Sequence, residues 1–185
     1  MREPRLAAVV YEAGDGGEAD LMLLAAAEAL RRQGVRLAGA VQHNGVADDG
    51  CRCSMVLEDL ASGRRVEISE DRGREAAGCR LNPVALEEVV GLATAALGGA
   101  ADLLVVNRFG KHEVEGRGFR QAIEAALAGD IAALVAVSRD HLAAWDRFAG
   151  GMDVRIAVDL DAVLAWWGTV RRGALAPAAG DAGPD

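Results

Sequence analysis

Ala100-Ala101-Asp102-Leu103-Leu104-Val105-Val106-Asn107-Arg108-Phe109-Gly110-Lys111-His112-Glu113-Val114-Glu115-Gly116-Arg117-Gly118 is the stretch whose reading decides the fold. Ala100 to Val106 is a short apolar run, the mark of a buried strand. At Asn107 the composition turns polar and a helical pattern resumes near Phe119, so Asn107 to Gly118 is expected to be a loop at the carboxyl end of that strand. Lys111 is the only lysine in the chain, the remaining positions of that class being arginine. Glycines 110, 116 and 118 let backbone N–H groups approach a ligand closely, and the following helix start offers unpaired donors at a positive dipole end. Asn107, Arg108, Gly110, Lys111 and Arg117 are therefore a candidate anion site. The alternative is a solvated loop whose charges pair with one another. Position favours the site, because ligands of open α/β sheets gather outside the carboxyl ends of the strands.

Working outward, the flanking segments supply the rest of such a sheet. Leu6 to Tyr11 reads as a strand, followed by a glycine loop and a Leu/Ala-rich helix from Ala19 to the basic stop Arg31-Arg32-Gln33-Gly34. Val35 to Val41 restores a strand, as a right-handed βαβ unit requires, and ends at Gln42-His43-Asn44. Cys53 to Leu60 and Arg64 to Ser69 read as a hairpin around Ala61-Ser62-Gly63. A charged loop from Glu70 to Asn82 leads to Pro83, which suits the first turn of a helix reaching Leu97. Beyond the central strand come a helix from Phe119 to Ala128 and the apolar strand Ile131 to Val137. A helix capped by Asp140 and running through Phe148, a last strand from Val154 to Val158, and a helix from Leu160 to about Arg171 capped by Asp159 complete the chain. The expected fold is a three-layer α/β/α arrangement with a mainly parallel sheet and a β-hairpin insertion, in a single domain over residues 1–173. Residues 174–185, rich in Ala, Gly, Pro and Asp, are expected to be a disordered tail.

With 185 residues, 51% hydrophobic and only 4% aromatic, the chain is long enough for one core built mainly from Ala, Val and Leu. A formal net charge of −8 repels polyanions at long range and argues against nucleic acid as a partner. The apolar run near the amino end is too short for a signal-peptide core or a membrane span. The odd count of 3 cysteines fits a reducing compartment, so a soluble cytoplasmic protein is expected.

The first loop, Glu12-Ala13-Gly14-Asp15-Gly16-Gly17-Glu18, stands where a phosphate cradle would stand. It lacks that motif's lysine and following hydroxyl, for which acidic or small residues substitute. Glu12, Asp15, Glu18 and Asp20 would each repel a phosphate by about 1–4 kcal/mol at 4 Å, depending on screening, and a bound magnesium would reverse the sign. The backbone of Gly14, Gly16 and Gly17 is a second candidate anion contact, with Asp15 as a magnesium ligand; otherwise the segment is a turn before a helix. The central strand ends in Asn107, where nucleotide hydrolases of this architecture carry an acid. Glu113 downstream can hold a metal or can pair with Arg108, Lys111 and Arg117.

Cys51 and Cys53 are two apart, so on a strand both thiols would project from one face, and His43 and Cys79 can approach from neighbouring loops as a candidate soft-metal set. Their spacing is not the C-x-x-C pattern of structural zinc, and cysteines are also common as small core residues. His112 belongs to the key loop, and His141 is expected to face solvent. Of Trp166 and Trp167, one ring is expected in the core and one partly exposed, which would allow a partner surface.

Three stretches together carry a resemblance: Cys53-Ser54-Met55-Val56-Leu57-Glu58-Asp59-Leu60-Ala61-Ser62-Gly63, Gly78-Cys79-Arg80-Leu81-Asn82-Pro83, and Asn107 through Gly118. The chain resembles a bacterial family of unknown function labelled nucleoside-triphosphatase-like or associated with molybdenum transport. The resemblance runs to about Trp167. It implies a layout similar to P-loop nucleoside triphosphatases with a degenerate phosphate loop, and genes near those for molybdate uptake or molybdenum enzymes. Where that family carries Lys after the strand-end Asn, this chain has Arg108, which keeps the charge in a planar fork. Where it carries Asp before the proline, this chain has Asn82.

These readings lead to an anion-binding accessory or regulatory protein. It would hold a nucleotide, with or without Mg, or a tetrahedral oxyanion such as molybdate or tungstate, through Asn107, Arg108, Lys111 and Arg117, with Arg80 and the Gly14 to Gly17 backbone closing the site. An alternative is a divergent Mg-dependent nucleoside triphosphatase in which Lys111 replaces the missing lysine. A third is a thiol-based metal carrier using Cys51, Cys53 and Cys79. A second copy of the chain, or a molybdenum-transport or molybdoenzyme protein, is the partner these readings imply.

Overall fold

The computed structural model describes residues 4–46, 53–70 and 80–175. The described strands are β1 (Leu6–Tyr11), β2 (Leu37–Val46), β3 (Cys53–Asp59), β4 (Arg65–Glu67), β5 (Ser69–Glu70), β6 (Arg80–Leu81), β7 (Leu103–Phe109), β8 (Ala132–Ser138) and β9 (Asp153–Ile156). The helices are α1 (Gly16–Arg32), α2 (Pro83–Leu97), the single turn α3 (Lys111–Val114), α4 (Arg120–Ala128), α5 (Leu142–Ala149) and α6 (Leu160–Leu175). A 7-stranded sheet has the order β4-β3-β2-β7-β8-β1-β9. β2, β7, β8, β1 and β9 run parallel, whereas β3 and β4 join antiparallel at the β2 edge. The expected α/β class, mainly parallel sheet and hairpin are thus all present.

Side-chain alternation along the apolar strands divides the core in two. Leu104, Val106, Ala133, Val135 and Val137 face α2, α4 and α5. Leu103, Val105, Ala132, Leu134 and Ala136 face α1 and α6. The runs in β7 and β8 show no hydrophobic alternation in sequence because both faces are covered by helices. Every residue of β8 is buried. At Gly39 the backbone has φ +99°, and a Cβ there would stand 1.9 Å from the Val105 carbonyl oxygen on β7. Only glycine fits that crossing.

Several boundaries differ from the sequence reading. Gln42, His43 and Asn44 are strand residues, because β2 continues past the parallel sheet to pair with β3 from Ala40↔Asp59 to Val46↔Cys53. Asn107, Arg108 and Phe109 likewise extend β7, with an irregular register between Val106 and Phe109. The loop after it is therefore shorter and contains the turn α3. α1 begins at Gly16, ahead of the expected Ala19. Glu70 and Arg80, placed in one long loop by sequence, pair as edges of the small β5–β6 ladder. Asp140 caps no helix: it lies in a 3-10 turn, and His141 precedes α5 without a side-chain cap. Asn82 does cap α2, accepting from the Val84 and Ala85 N–H groups. Asp159 Oδ1 accepts from the Asp161 and Ala162 N–H groups at the start of α6. α6 continues past Arg171 to Leu175. Both Trp166 and Trp167 are buried, at 7% and 5% exposure, so neither ring is partly exposed. Trp166 is fixed by its N–H donating to the Pro4 carbonyl at 3.1 Å. Among the described residues no helix is long and apolar enough to cross a membrane.

Candidate functional site

The parallel strands deliver their carboxyl ends to one edge of the sheet, and the polar side chains gathered there converge on Asp20. This carboxylate is buried at 1% exposure on the inward face of α1, in helical register with Leu23, Ala27 and Leu30. Its Oδ1 accepts from Asn107 Nδ2 at 2.9 Å. Its Oδ2 accepts from Arg108 Nη2 at 2.9 Å and from Asn44 Nδ2 at 2.7 Å. Gln42 completes the network by donating from Nε2 to Asn44 Oδ1 at 2.6 Å and from its backbone N to Asn107 Oδ1 at 2.9 Å. A charge so deeply buried is tolerated only with such saturation, and here β2 and β7 supply every donor.

Arg108 spans the gap between β7 and the start of α1. Its side chain is 42% exposed, so the guanidinium has one edge on Asp20 and another toward solvent. A Cβ at Gly16 would lie 2.9 Å from Arg108 Nη2, so this glycine makes room for the guanidinium at the first turn of α1. Gly17 is open, and Gly14 turns the loop with φ +99°. Asp15 precedes the helix without a side-chain cap. Glu12 pairs with Arg139 beyond β8. Burial pushes the Tyr11 phenol up, with Arg108 opposing the shift and Asp20 and Asp140 adding to it, which puts Tyr11 within electrostatic reach of the same cluster. The edge thus offers one partly free arginine, a helix amino terminus and an open glycine backbone, inside a rim of Glu12, Asp15 and Glu18.

The loop after β7 has its own anchor. Glu113 is buried at 4% exposure, and its Oε2 accepts the Gly110 N–H at 2.9 Å while its Oε1 accepts the Phe119 N–H at 3.0 Å. Burial pushes its carboxyl up, against those hydrogen bonds. Gly118, with φ +62°, is required beside it, because a Cβ would stand 2.2 Å from Glu113 Oε1. Glu113 therefore closes the loop by its own carboxylate instead of presenting it to a metal. Lys111 is 83% exposed and 4.0 Å from Glu115, with which Arg117 also pairs. The structure brings Asn107, Arg108 and Gly16 together; the contacts of Lys111 and Arg117 are with Glu115, on the outer side of the loop.

Most of the soft-metal set lies outside the described residues. Cys51 and Cys79 lie outside them, as does the side chain of Arg80, and Cys53 is placed only by its pairing with Val46. His43 is engaged by Glu58, Nε2 to Oε2 at 2.9 Å. Glu58 also takes Arg31 and Arg65; although burial acts most strongly and raises its carboxyl, these hydrogen bonds together hold it below the ordinary value. No group of three or more His, Cys, Asp or Glu side chains among the described residues could hold a metal ion.

Asp20, Asn44, Gln42 and Tyr11 were missed in the sequence reading. In sequence Asp20 groups with the acids of the first loop; its signal is the spacing to Leu23, Ala27 and Leu30, which puts a carboxylate on the apolar face of the helix.

A mainly parallel sheet flanked by helices, with a glycine loop after its first strand and polar side chains meeting at the following helix, is consistent with the architecture of P-loop nucleoside triphosphatases. The chain belongs to the family described as "Protein of unknown function (DUF2478)", which matches residues 6–166. It is also 34% identical over 163 residues to a protein named "Molybdenum import ATP-binding protein ModC 2" from Bradyrhizobium diazoefficiens. That alignment covers 88% of this chain but 18% of the relative, so the chain spans under a fifth of the protein it matches. No solved structure matches it.

Proposed function

We propose that the protein binds a small anion, a nucleotide or a molybdate-like oxyanion, at the carboxyl edge of its parallel sheet, and serves molybdenum or tungsten metabolism as an accessory or regulatory component. The observation that carries the reading is the position of Arg108. Its guanidinium is half-exposed, packs against Gly16 and stands over the first turn of α1, where a cation and unpaired N–H groups act on the same ligand. In this reading the loop is a degenerate phosphate cradle whose cation arrives from β7 instead of from the loop. Asn107 and the Gly16 and Gly17 backbone are the other proposed contacts, and Asp20 holds Arg108 in place. Lys111 and Arg117, engaged with Glu115, have a secondary part in attracting the ligand.

The link to molybdenum rests on the name of the relative and on the family resemblance, and because most of that protein lies outside the alignment its role comes to this chain only as part of this proposal. Calorimetric titration with ATP, GTP, molybdate, tungstate and sulfate, each with and without magnesium, tests it. Saturable binding of any of these that is lost in Arg108→Ala supports the site. The second reading, magnesium-dependent hydrolysis of a nucleoside triphosphate, draws support from the P-loop-like layout and from acids such as Asp15 and Glu18 near the loop; it requires phosphate release that depends on both magnesium and Arg108.

A further inference from the structure

The opposite edge of the sheet, where the parallel strands begin, holds a cleft of about 430 Å3, within the size range of small-molecule sites. Arg5 leads into β1, Val35 into β2, Ala101 and Asp102 into β7, and Ile131 into β8, while Trp167, Val170, Arg171 and Ala174 of α6 form the far wall. The cleft is thus separated from the Arg108 edge by the full length of the strands.

Most polar groups lining it are already engaged. Asp102 is taken by Arg36, whose Nε and Nη2 donate to its two oxygens at 2.9 and 2.6 Å. Arg5 pairs with Asp130. The ends of α1 and α4 are closed by backbone hydrogen bonds, from Val35 N to the Leu30 carbonyl and from Ile131 N to the Ala126 carbonyl. Two groups stand apart, and both are donors. The indole N–H of Trp167 is buried without a hydrogen-bond partner, in a residue only 5% exposed. Arg171 has no ion-pair partner within 4 Å among the described residues, although it stands near enough to Asp102 to help hold that carboxyl down. A buried donor without an acceptor is costly and marks a place where an acceptor belongs. Among the lining side chains two arginines, Arg5 and Arg171, stand with two aspartates, Asp102 and Asp130; with Asp102 paired to Arg36 and Asp130 to Arg5, Arg171 is the charge left for a ligand.

We infer that this cleft is a second binding site, for a small organic carboxylate whose apolar body lies against Val35, Ile131 and Val170 and whose oxygens accept from Arg171 and from the Trp167 indole once that ring turns its buried N–H toward the cleft. The inference does not depend on the proposed role of the Arg108 edge.

The test uses the full chain labelled with 15N and follows the tryptophan indole N–H resonances, that of Trp167 being assigned from Trp167→Phe. Benzoate is titrated as the probe, with benzylammonium and inorganic sulfate as controls of charge and of body. The expected result is a saturable shift of the Trp167 signal with benzoate alone, while the indole of Trp166, bonded to the Pro4 carbonyl, responds less. Arg171→Gln, an exposed change on α6, is expected to raise the benzoate dissociation constant more than threefold. A Trp167 signal that does not saturate, an equal response to benzylammonium or sulfate, or a constant changed threefold or less in Arg171→Gln would each overturn the inference.

Discussion

Arg108 on β7 and Asp20 on α1 meet at 2.9 Å across the carboxyl edge of the sheet, one side chain 42% exposed and the other 2%. The asymmetry divides their labour. Asp20 is a fixed internal counter-ion, and Arg108 keeps part of its fork for solvent or a ligand. Removing the carboxylate leaves donors from Asn44, Asn107 and Arg108 without their acceptor. Asp20→Ala should lower stability by about 2–4 kcal/mol, below the cost of breaking a wholly buried pair because Arg108 can turn to water. A shift in urea midpoint at unchanged m-value measures it; a change under about 0.5 kcal/mol would show that the network does not hold the edge together.

Glu113 accepts one backbone N–H on each oxygen, an arrangement that a carboxylate satisfies and an amide cannot. Glu113→Gln should therefore cost about 1–3 kcal/mol despite its near-identical shape. The same residue sets a pH slope. Its carboxyl is raised in the folded protein, so the folded state binds more protons than the unfolded chain between the ordinary carboxylate value and the raised one. Its contribution is greatest below that window and declines as pH rises through it. Chemical denaturation across mildly acidic pH should show the stability advantage of the wild type over Glu113→Gln shrinking as pH rises.

Glu58 works in the opposite sense. Burial, its largest influence, is outweighed by Arg31, His43 and Arg65, and its carboxyl lies below the ordinary value. Its stabilisation is present above the unfolded value and lost as pH falls through the lowered one. Glu58→Gln should flatten the acid limb of the stability profile, and an unchanged limb would assign acid unfolding to other carboxylates.

Gly39→Ala puts a Cβ against the Val105 carbonyl in a backbone of positive φ. The strands can relieve this only by parting, so a loss above about 4 kcal/mol or failure to accumulate as folded protein is expected. Gly17→Ala, with nothing within 4 Å of the added carbon, is the control and should fold normally.

The continuous apolar runs in β7 and β8 made the buried parallel sheet legible, and Pro83 and Asp159 announced their helix starts because local backbone geometry and capping decide them. What the sequence concealed depended on pairing across the chain. Gln42 to Asn44 and Asn107 to Phe109 look like loop residues until β3, or the neighbouring network, supplies their partners. Lys111 drew attention as the only lysine, yet rarity said nothing of contacts, and it is Arg108 that reaches the first helix. Trp166 and Trp167 are both buried because the sheet face and α1 enclose them together, an outcome of tertiary packing that adjacent aromatics on one helix do not reveal.

The central claim, an anion site organised by Arg108, is tested most directly by calorimetry on wild type, Arg108→Ala and Lys111→Ala, with folding of each verified by thermal melting. The panel is ATP, GTP, molybdate, tungstate and sulfate, each with and without magnesium. The account predicts saturable binding of at least one ligand to the wild type, its loss in Arg108→Ala, and only a modest weakening in Lys111→Ala, whose side chain is 83% exposed. Silence of the wild type with every ligand, or undiminished affinity in a folded Arg108→Ala protein, would contradict it.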